Sequence, residues 1–452
     1  VTTPPPLPEE SSVEELADLV RTGQFPAFVD RARELDPADL ADVLSTLDDE
    51  ERVEAVRALP PELSGEALVE MPLEEHAGDT LAALEPERAA EIVEELEDDD
   101  AADLLGELEP EAQRRILSGL EDRSDVERLL RYDEESAGGL MTTHLIKVRD
   151  VDTVAQALDE IRRQSDEVED FYQIFVVDPN NVLVGTLPLK GLVTSGPTRR
   201  VREFLERTEY SVRPEVDQEE VARLMAKYNL ASMPVVDAGG RLLGRVTFDD
   251  VTDVAEEEAT EDLLRFGGVS GEEELGDDWR LAVKSRLPWL LINLLTAFVA
   301  KAVIDAQQGV VERLPLIAAW LGVVAGMGGN AGTQALAVTV RRLALGHVAA
   351  GDAWRIIHKE LLVGFLNGVA NGVVVAFVGL ATTGGTPMLG LVVGLAMVGN
   401  LVVAGVSGAL IPLLLHRLKV DPAIASSIFV TTFTDVFGFG LVLLFARLLL
   451  LG

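Results

Sequence analysis

Ala423-Ile-Ala-Ser-Ser-Ile-Phe-Val-Thr-Thr-Phe-Thr-Asp-Val-Phe-Gly-Phe-Gly-Leu-Val-Leu-Leu-Phe-Ala-Arg-Leu-Leu-Leu450 holds one carboxylate, Asp435, deep in an apolar and hydroxyl-bearing run. A bilayer core of about 30 Å takes roughly 20 apolar residues of helix. The run therefore predicts a membrane span over 423–450. Four earlier segments pass the same test: 287–304, 314–340, 361–380 and 388–415. A charge at mid-membrane is expensive and usually functional. Ser427, Thr431 and Asp435 are spaced by four, so they line one face of the helix as a polar stripe. That pattern suits a water-lined pathway. The alternative is a protonated Asp435 hydrogen-bonded between helices.

The second span carries Gly326-Met-Gly-Gly-Asn-Ala-Gly-Thr-Gln334. Its glycines permit close helix approach or local unwinding. Asn330 and Gln334 also lie four apart, and helix packing alone explains them less well than it explains the glycines. We expect Asn330, Gln334, Ser427 and Thr431 to line a pore beside Asp435.

Basic residues between spans set orientation. Lys284 and Arg286 precede the first span, Arg341, Arg342, Arg355 and Lys359 follow the second, and Arg417 and Lys419 follow the fourth. These regions alternate onto one side. The expectation is a cytoplasmic N-terminal half and an outside C-terminus, with Lys301 snorkelling near the outer end of the first span. Residues 1–11, with no basic start and no apolar core, predict a disordered leader rather than a signal peptide.

The composition divides at the same place. The 452 residues hold 77 Asp+Glu against 38 Lys+Arg, a net charge of −39. From Trp279 to Gly452 there are 12 basic and 6 acidic residues, net +6, which leaves 26 basic and 71 acidic upstream, net −45. An acidic half joined to a mildly basic membrane half argues against a single globular enzyme. It also argues against a nucleic-acid partner, which needs a basic surface. With no cysteine there is no disulfide, thiolate metal site or thiol nucleophile.

The acidic half begins with a repeat. Leu35-Asp-Pro, Leu47-Asp-Asp, Leu59-Pro-Pro, Met71-Pro-Leu, Leu84-Glu-Pro, Leu96-Glu-Asp, Leu108-Glu-Pro and Leu120-Glu-Asp recur at steps of 12, 12, 12, 13, 12, 12 and 12. Acids and Pro after the apolar residue suit a helix start. Twelve residues make one short helix and a turn, so 12–136 predicts a small superhelical solenoid. The plain alternative for any one of its acids is a solvated face.

Residues 137–248 are patterned differently. Ile174-Phe-Val-Val-Asp178 and Met233-Pro-Val-Val-Asp237 each lead through a turn into a second β-type run, and each follows an amphipathic helix, Val154–Gln164 or Gln218–Tyr228. This duplicated pattern resembles a tandem pair of CBS domains, modules that bind adenine nucleotides or mediate dimers. Thr247 and Asp250 of the second copy are compatible with ribose; the first copy has Pro188 and Lys190 there instead. A purely structural pair is the alternative.

Residues 249–278 predict a connecting helix and linker, terminated by Gly267-Gly268. Asp250, Asp253, Glu257 and Glu261 fall on one face of it. Two like charges 4 Å apart repel by about 4 kcal/mol at an effective dielectric near 20. Divalent cations can bridge such a face and favour a compact state. For the ion in transit, one carboxylate on a hydroxyl-lined path suits a hard cation, and Mg²⁺ keeps most of its waters. A homodimer with the pore on its two-fold axis would supply two copies of Asp435.

The order of parts, together with "GGN-A-G-T-Q" and "T-x-T-D-V-x-G", closely resembles the MgtE family of Mg²⁺ channels and transporters. The likeness runs from about residue 12 to the end. It implies a multidomain membrane protein: an α-helical superhelical N-terminal domain, tandem α/β CBS domains, a connecting "plug" helix and a five-helix transmembrane domain over 279–452. It further implies a homodimer in the inner membrane, surrounded by lipid, with Asp435 as the pore Mg²⁺ site. Regulatory Mg²⁺ ions are implied at Glu66, Asp99 and Asp103 of the repeat, Asp217 and Glu219 of the second CBS copy, and Asp250, Asp253, Glu258 and Glu261 of the plug helix. Cytosolic Mg²⁺ there would hold the pore closed, with ATP as a modulator. Some relatives have an acid near Asn229, where this chain has an amide. The rival expectations are a secondary transporter of another divalent ion such as Co²⁺, and a Mg²⁺ sensor or scaffold without a pore. A membrane metalloprotease is excluded by the lack of His-Glu-x-x-His.

Overall fold

Pro occupies the first helical turn after Asp36, Pro60, Glu85 and Glu109, where its missing N–H costs nothing. In the computed structural model those four positions open helices α3, α5, α7 and α9. The structure describes residues 10–72, 77–165, 168, 171, 173–207, 210–269, 279–344, 348, 351–382, 387–420 and 426–452. Most of the leader, part of the linker before Trp279, His347 and the start of the 423–450 run lie outside those residues. Contacts divide the chain into two compact units, Val1–Glu256 and Glu257–Gly452.

The first unit starts with short helices: α1 Glu10–Arg21, α2 Phe25–Ala32, α3 Pro37–Ser45, α4 Asp49–Ala58, α5 Pro61–Val69, α6 Ala77–Ala82, α7 Pro86–Val93, α8 Asp98–Gly106, α9 Pro110–Leu117 and α10 Val126–Leu129. In α4, which lacks Pro, a capping box does the same. Glu51 N donates to Asp48 Oδ1 at 2.9 Å, and Asp48 N donates back to Glu51 Oε2. The repeated apolar residue packs inward: Leu47, Leu59, Met71, Leu84, Leu108 and Leu120 are buried. Buried Arg52 donates to the carbonyls of Leu44 and Leu47 at 3.2 Å, satisfying the end of the preceding helix.

The eighth unit departs from the repeat. No helix follows Leu120 directly; Asp122 Oδ1 accepts from Ser124 N at 3.0 Å and from Ser124 Oγ at 2.7 Å. This local side-chain turn competes with helix formation, and the short α10 starts only at Val126.

The rest of the unit is built from two similar halves. Strand β1 (Lys147–Arg149) is parallel to β2 (Ile174–Val177), which is antiparallel to β3 (Leu183–Leu187); β4 (Ser232–Val236) is antiparallel to β5 (Leu242–Thr247). Helices α11 (Val154–Gln164), α12 (Leu189–Thr194) and α13 (Gln218–Tyr228) flank them. Asp178 and Asp237 hold equivalent turns by accepting backbone N–H bonds. The two turns then meet: Leu183 N donates to Gly240 O, and Leu242 N to Asn181 O, each at 2.9 Å. One core joins the solenoid to the second half through Val221, Met225, Met233, Val235 and Val246.

Helix α14 (Phe248–Phe266) follows β5 without a break. It ends at Gly267-Gly268 as expected: Gly268 takes φ +80°, a conformation without penalty for glycine. Five helices among the described residues are long and apolar enough to cross a membrane. They are α15 (Trp279–Ala306), α17 (Ala318–Ala344, extended by a 3₁₀ turn at Pro315–Ile317), α18 (Ala353–Thr382), α19 (Pro387–Arg417) and α20 (Ser426–Leu450), with the short α16 (Gln308–Arg313) after the first. The first four run past the apolar segments at the ends that carry basic residues, because flanking residues such as Arg280 and Trp354-Arg355 remain helical. Helix α19 is the most enclosed and packs against α17, α18 and α20.

Candidate functional site

Helix α8 begins Asp98-Asp-Asp100, and a helix N-terminus favours negative charge. Asp98 is buried and committed. It accepts from Thr142 Oγ1 at 2.8 Å and Thr143 N at 3.0 Å, and also from Thr143 Oγ1. Arg245 Nε reaches His144 O at 3.0 Å, and Thr142 pairs with Arg245 backbone to backbone. The solenoid is therefore docked on the second β-hairpin through a carboxylate and a short extended segment.

The next two acids are not neutralised in this way. Asp99 is buried, and its Oδ1 has no hydrogen-bond partner among the described residues. Burial raises its carboxyl well above the ordinary range, and the charges of Asp250, Asp100, Asp98 and Glu97 push the same way. Asp100 is pushed up to about 7 by burial and then by Asp250, Glu97, Asp249 and Glu70. Asp250 rises to about 6 through burial, against bonds from Thr247 that lower it. Burial and the Asp249 charge raise Asp253. Glu70 is raised by burial and then by Asp253, Asp36 and Asp249. Carboxylates from α5, α8 and the first turns of α14 thus crowd one place, and each pays for its neighbours' charge.

Of the expected sensor residues, the structure brings together Asp99, Asp250 and Asp253. It adds Asp100, Asp249 and Glu70, which the sequence did not single out. Glu70 lies one turn beyond Glu66 on the same C-terminal stretch as α5. Asp103, one turn after Asp99, is exposed. Asp217 caps α13, accepting from Glu219 N at 3.0 Å, and both side chains are exposed. Asn229 takes φ 51° at the end of α13, a left-handed cap that Asn tolerates. In the second unit, Glu261 pairs with Arg265, and Glu258 is half-buried.

Asp250 was also expected to meet ribose. Its Oδ2 accepts from both Thr247 N (3.1 Å) and Thr247 Oγ1. With Asp99 and Asp100 alongside, this corner repels an anionic nucleotide. The pair would bind ribose only after its internal bond opened.

In the membrane helices, Asp435, Thr431 and Ser427 are half-exposed, and Asn330 and Gln334 are exposed along α17. The buried seam lies beside them, at Val430, Thr434 and Gly438 of α20 and Gly328 and Gly332 of α17. Among the described residues, nothing hydrogen-bonds or ion-pairs with the Asp435 carboxylate. Phe266, at the end of α14, packs with Leu336, Val340, Val430 and Ile411. Glu360 is a second enclosed carboxylate, held by Lys359 Nζ at 2.9 Å. It escaped notice because the apolar run starts one residue later, whereas the helix starts at Ala353. Asn400 was also missed; its environment is visible only in three dimensions. No group of three His, Asp or Glu that could hold a metal ion occurs among the described residues.

Comparison with known proteins agrees with this layout. Residues 35–135 match the MgtE intracellular N domain, 137–195 and 201–257 match CBS domains, and 321–445 match the MgtE divalent cation transporter domain. The chain is 40% identical over 334 residues to the magnesium transporter MgtE of Thermus thermophilus, covering 73% of each. It is 35% identical over 312 residues to the magnesium transporter MgtE of Enterococcus faecalis, covering 69% of this chain and 68% of that one. The solved cytosolic domain of the Mg²⁺ channel MgtE in complex with ATP superimposes with a TM-score of 0.50 at 38% identity, over 54% of this chain and 99% of that one. These relatives are transporters, not enzymes, and the matched N domain is intracellular. The present chain is a multi-pass membrane protein with a cytosolic N-terminal domain, and it belongs to the MgtE family of magnesium transporters.

Proposed function

We propose that the chain is a Mg²⁺-selective channel of the inner membrane, working as a homodimer with its C-terminus outside and closed by cytosolic Mg²⁺. Asp435 carries this reading. It is a half-exposed membrane carboxylate without a protein partner among the described residues, on one stripe with Thr431 and Ser427. A carboxylate left this way favours a cation that keeps its water shell, and a second copy of the chain would double the charge. Asn330 and Gln334 offer amide oxygens and nitrogens to that water.

The gate follows from the crowded acids. Asp99, Asp100, Asp250 and Asp253 repel one another when ionised, so the docked arrangement needs protons or cations. Mg²⁺ would bridge them, with Glu66, Asp103, Asp217, Glu219, Glu258 and Glu261 as the further regulatory acids. ATP, found with a relative's cytosolic domain, would act as a modulator of the CBS pair.

The test is Mg²⁺ uptake by Asp435→Ala in proteoliposomes. Loss of uptake with retained folding is expected; unchanged uptake refutes the pore assignment and leaves a sensor without a pore. Single-channel currents of large unitary conductance would separate a channel from a secondary transporter of Mg²⁺ or Co²⁺.

A further inference from the structure

Asn400 sits midway along α19 and is 0% exposed. Its Nδ2 donates to Val324 O of α17 at 2.8 Å. Its Oδ1 has no partner among the described residues. The amide occupies a hole that two glycines on two other helices keep open. A Cβ on Gly328 of α17 would overlap Asn400 Nδ2 and come within 3.1 Å of Thr434 Cβ. A Cβ on Gly438 of α20 would lie 2.9 Å from the same nitrogen and 3.4 Å from Ala325 Cα. One side chain therefore touches both helices that carry the polar stripes.

Its neighbours on α19 define the contrast. Met397, Leu401 and Ala404 are buried and apolar. A spacer needs only volume, and a buried amide whose oxygen has no partner is a poor choice for volume alone. An amide adds direction: it bonds one carbonyl and no other. The seam around it is otherwise permissive. Gly328 faces Thr434, and Gly332 faces Val430 and Thr434, by apolar atoms alone, so these contacts carry no direction of their own. Polar side chains commonly fix such interfaces in membranes.

We propose that Asn400 is a positioning residue for the Asp435 ion site. By bonding Val324 O and filling the Gly328–Gly438 hole, it sets the height at which α17 and α20 meet. Gly438 is one turn from Asp435, and Gly328 is two residues from Asn330. The amide thus determines where the carboxylate stands against the Asn330–Gln334 edge, and with it ion affinity and choice. This inference rests on the pore reading above.

The experiment measures Mg²⁺ uptake and its competition by Co²⁺ for the full chain in proteoliposomes. Asn400→Leu keeps the branched shape and removes the bond. The expected result is a half-saturation shift of about threefold to tenfold, the range of one interhelical hydrogen bond, with an altered Co²⁺/Mg²⁺ ratio. Unchanged half-saturation and unchanged ratio overturn the proposal. Should Asn400→Leu fold poorly, Gly328→Ala decides. It should shift the half-saturation on its own and add nothing when combined with Asn400→Ala, which by itself removes the Val324 bond and shifts it too. A harmless Gly328→Ala, or shifts that simply add in the double variant, also overturns it. Asp435→Ala runs in parallel. If that variant still transports, the pore reading fails; if it is dead while Asn400→Leu is normal, only the positioning role fails.

Discussion

The carboxylate of Asp98 accepts the hydroxyl of Thr142 at 2.8 Å, 44 residues away in sequence, and so ties the acidic solenoid to the second β-hairpin. The same carboxylate takes Thr143 N at 3.0 Å. Asp98→Ala would leave that N–H and the Thr143 hydroxyl short of a partner, while Thr142 would keep its bond to Glu97. Leaving buried donors unpaired is worth about 1–3 kcal/mol each. We predict a lower unfolding temperature of the first unit and faster proteolysis between residues 117 and 137. Asp98→Asn should retain part of the stability, since its Oδ1 can still accept. Equal melting of wild type and Asp98→Ala would show that this bond does not hold the domains together.

Proton concentration should substitute for Mg²⁺. Asp100 titrates near 7 and Asp250 near 6, in each case chiefly because burial disfavours the charge. Both are raised above the ordinary carboxylate value of 3.8. Their contribution to the docked state is therefore complete below about pH 4. It is lost as pH rises through about 6 to 7. In chelator at pH 5.5 the solenoid should stay docked and resist protease; at pH 8 it should open, and added Mg²⁺ should close it again. Identical protection at both pH values without Mg²⁺ would remove charge repulsion as the opening force.

What was legible in the chain was what one dimension encodes. Spans and the isolated Asp435 follow from hydropathy, and the helix starts at Pro37, Pro61, Pro86 and Pro110 follow from the chemistry of one residue. Leu120 looked like another repeat because the spacing held, but Asp122 and Ser124 bond each other and stop the helix. Glu70, Asp100 and Asp249 were invisible as a group. They lie on three helices, and a run such as Glu94 to Asp100 offers no clue to which acids a docked partner will desolvate. Asn400 meets Val324 across 76 residues, and no local pattern announces it.

Close packing of α18 on α19 predicts where the membrane half cannot tolerate side chains. A Cβ on Gly368 would lie 2.8 Å from Val398 Cα, and one on Gly364 would overlap Leu401 O. The obstacle is backbone in both cases, so no rotamer change relieves it. Gly368→Val should destabilise the bundle by about 1–3 kcal/mol, read as earlier aggregation in detergent. Gly322→Ala, where nothing lies within 4 Å, serves as the neutral control. Equal stability of the two variants would mean the helices are less tightly apposed than their backbones indicate.

Neutralising the plug-helix acids tests the gate itself. In Asp250→Asn/Asp253→Asn/Glu258→Gln/Glu261→Gln the proposed gate loses the charge of Asp250 that repels Asp99 and Asp100, and it loses the carboxylates proposed to share cations. Repulsion alone would predict a channel that closes without Mg²⁺. Bridging predicts the reverse, because an amide binds a hard cation far less well than a carboxylate does. With four ligands gone, the second effect should dominate, and currents should persist at cytosolic Mg²⁺ levels that silence the wild type. Normal closure by the fourfold variant would show that Mg²⁺ acts elsewhere than at this cluster.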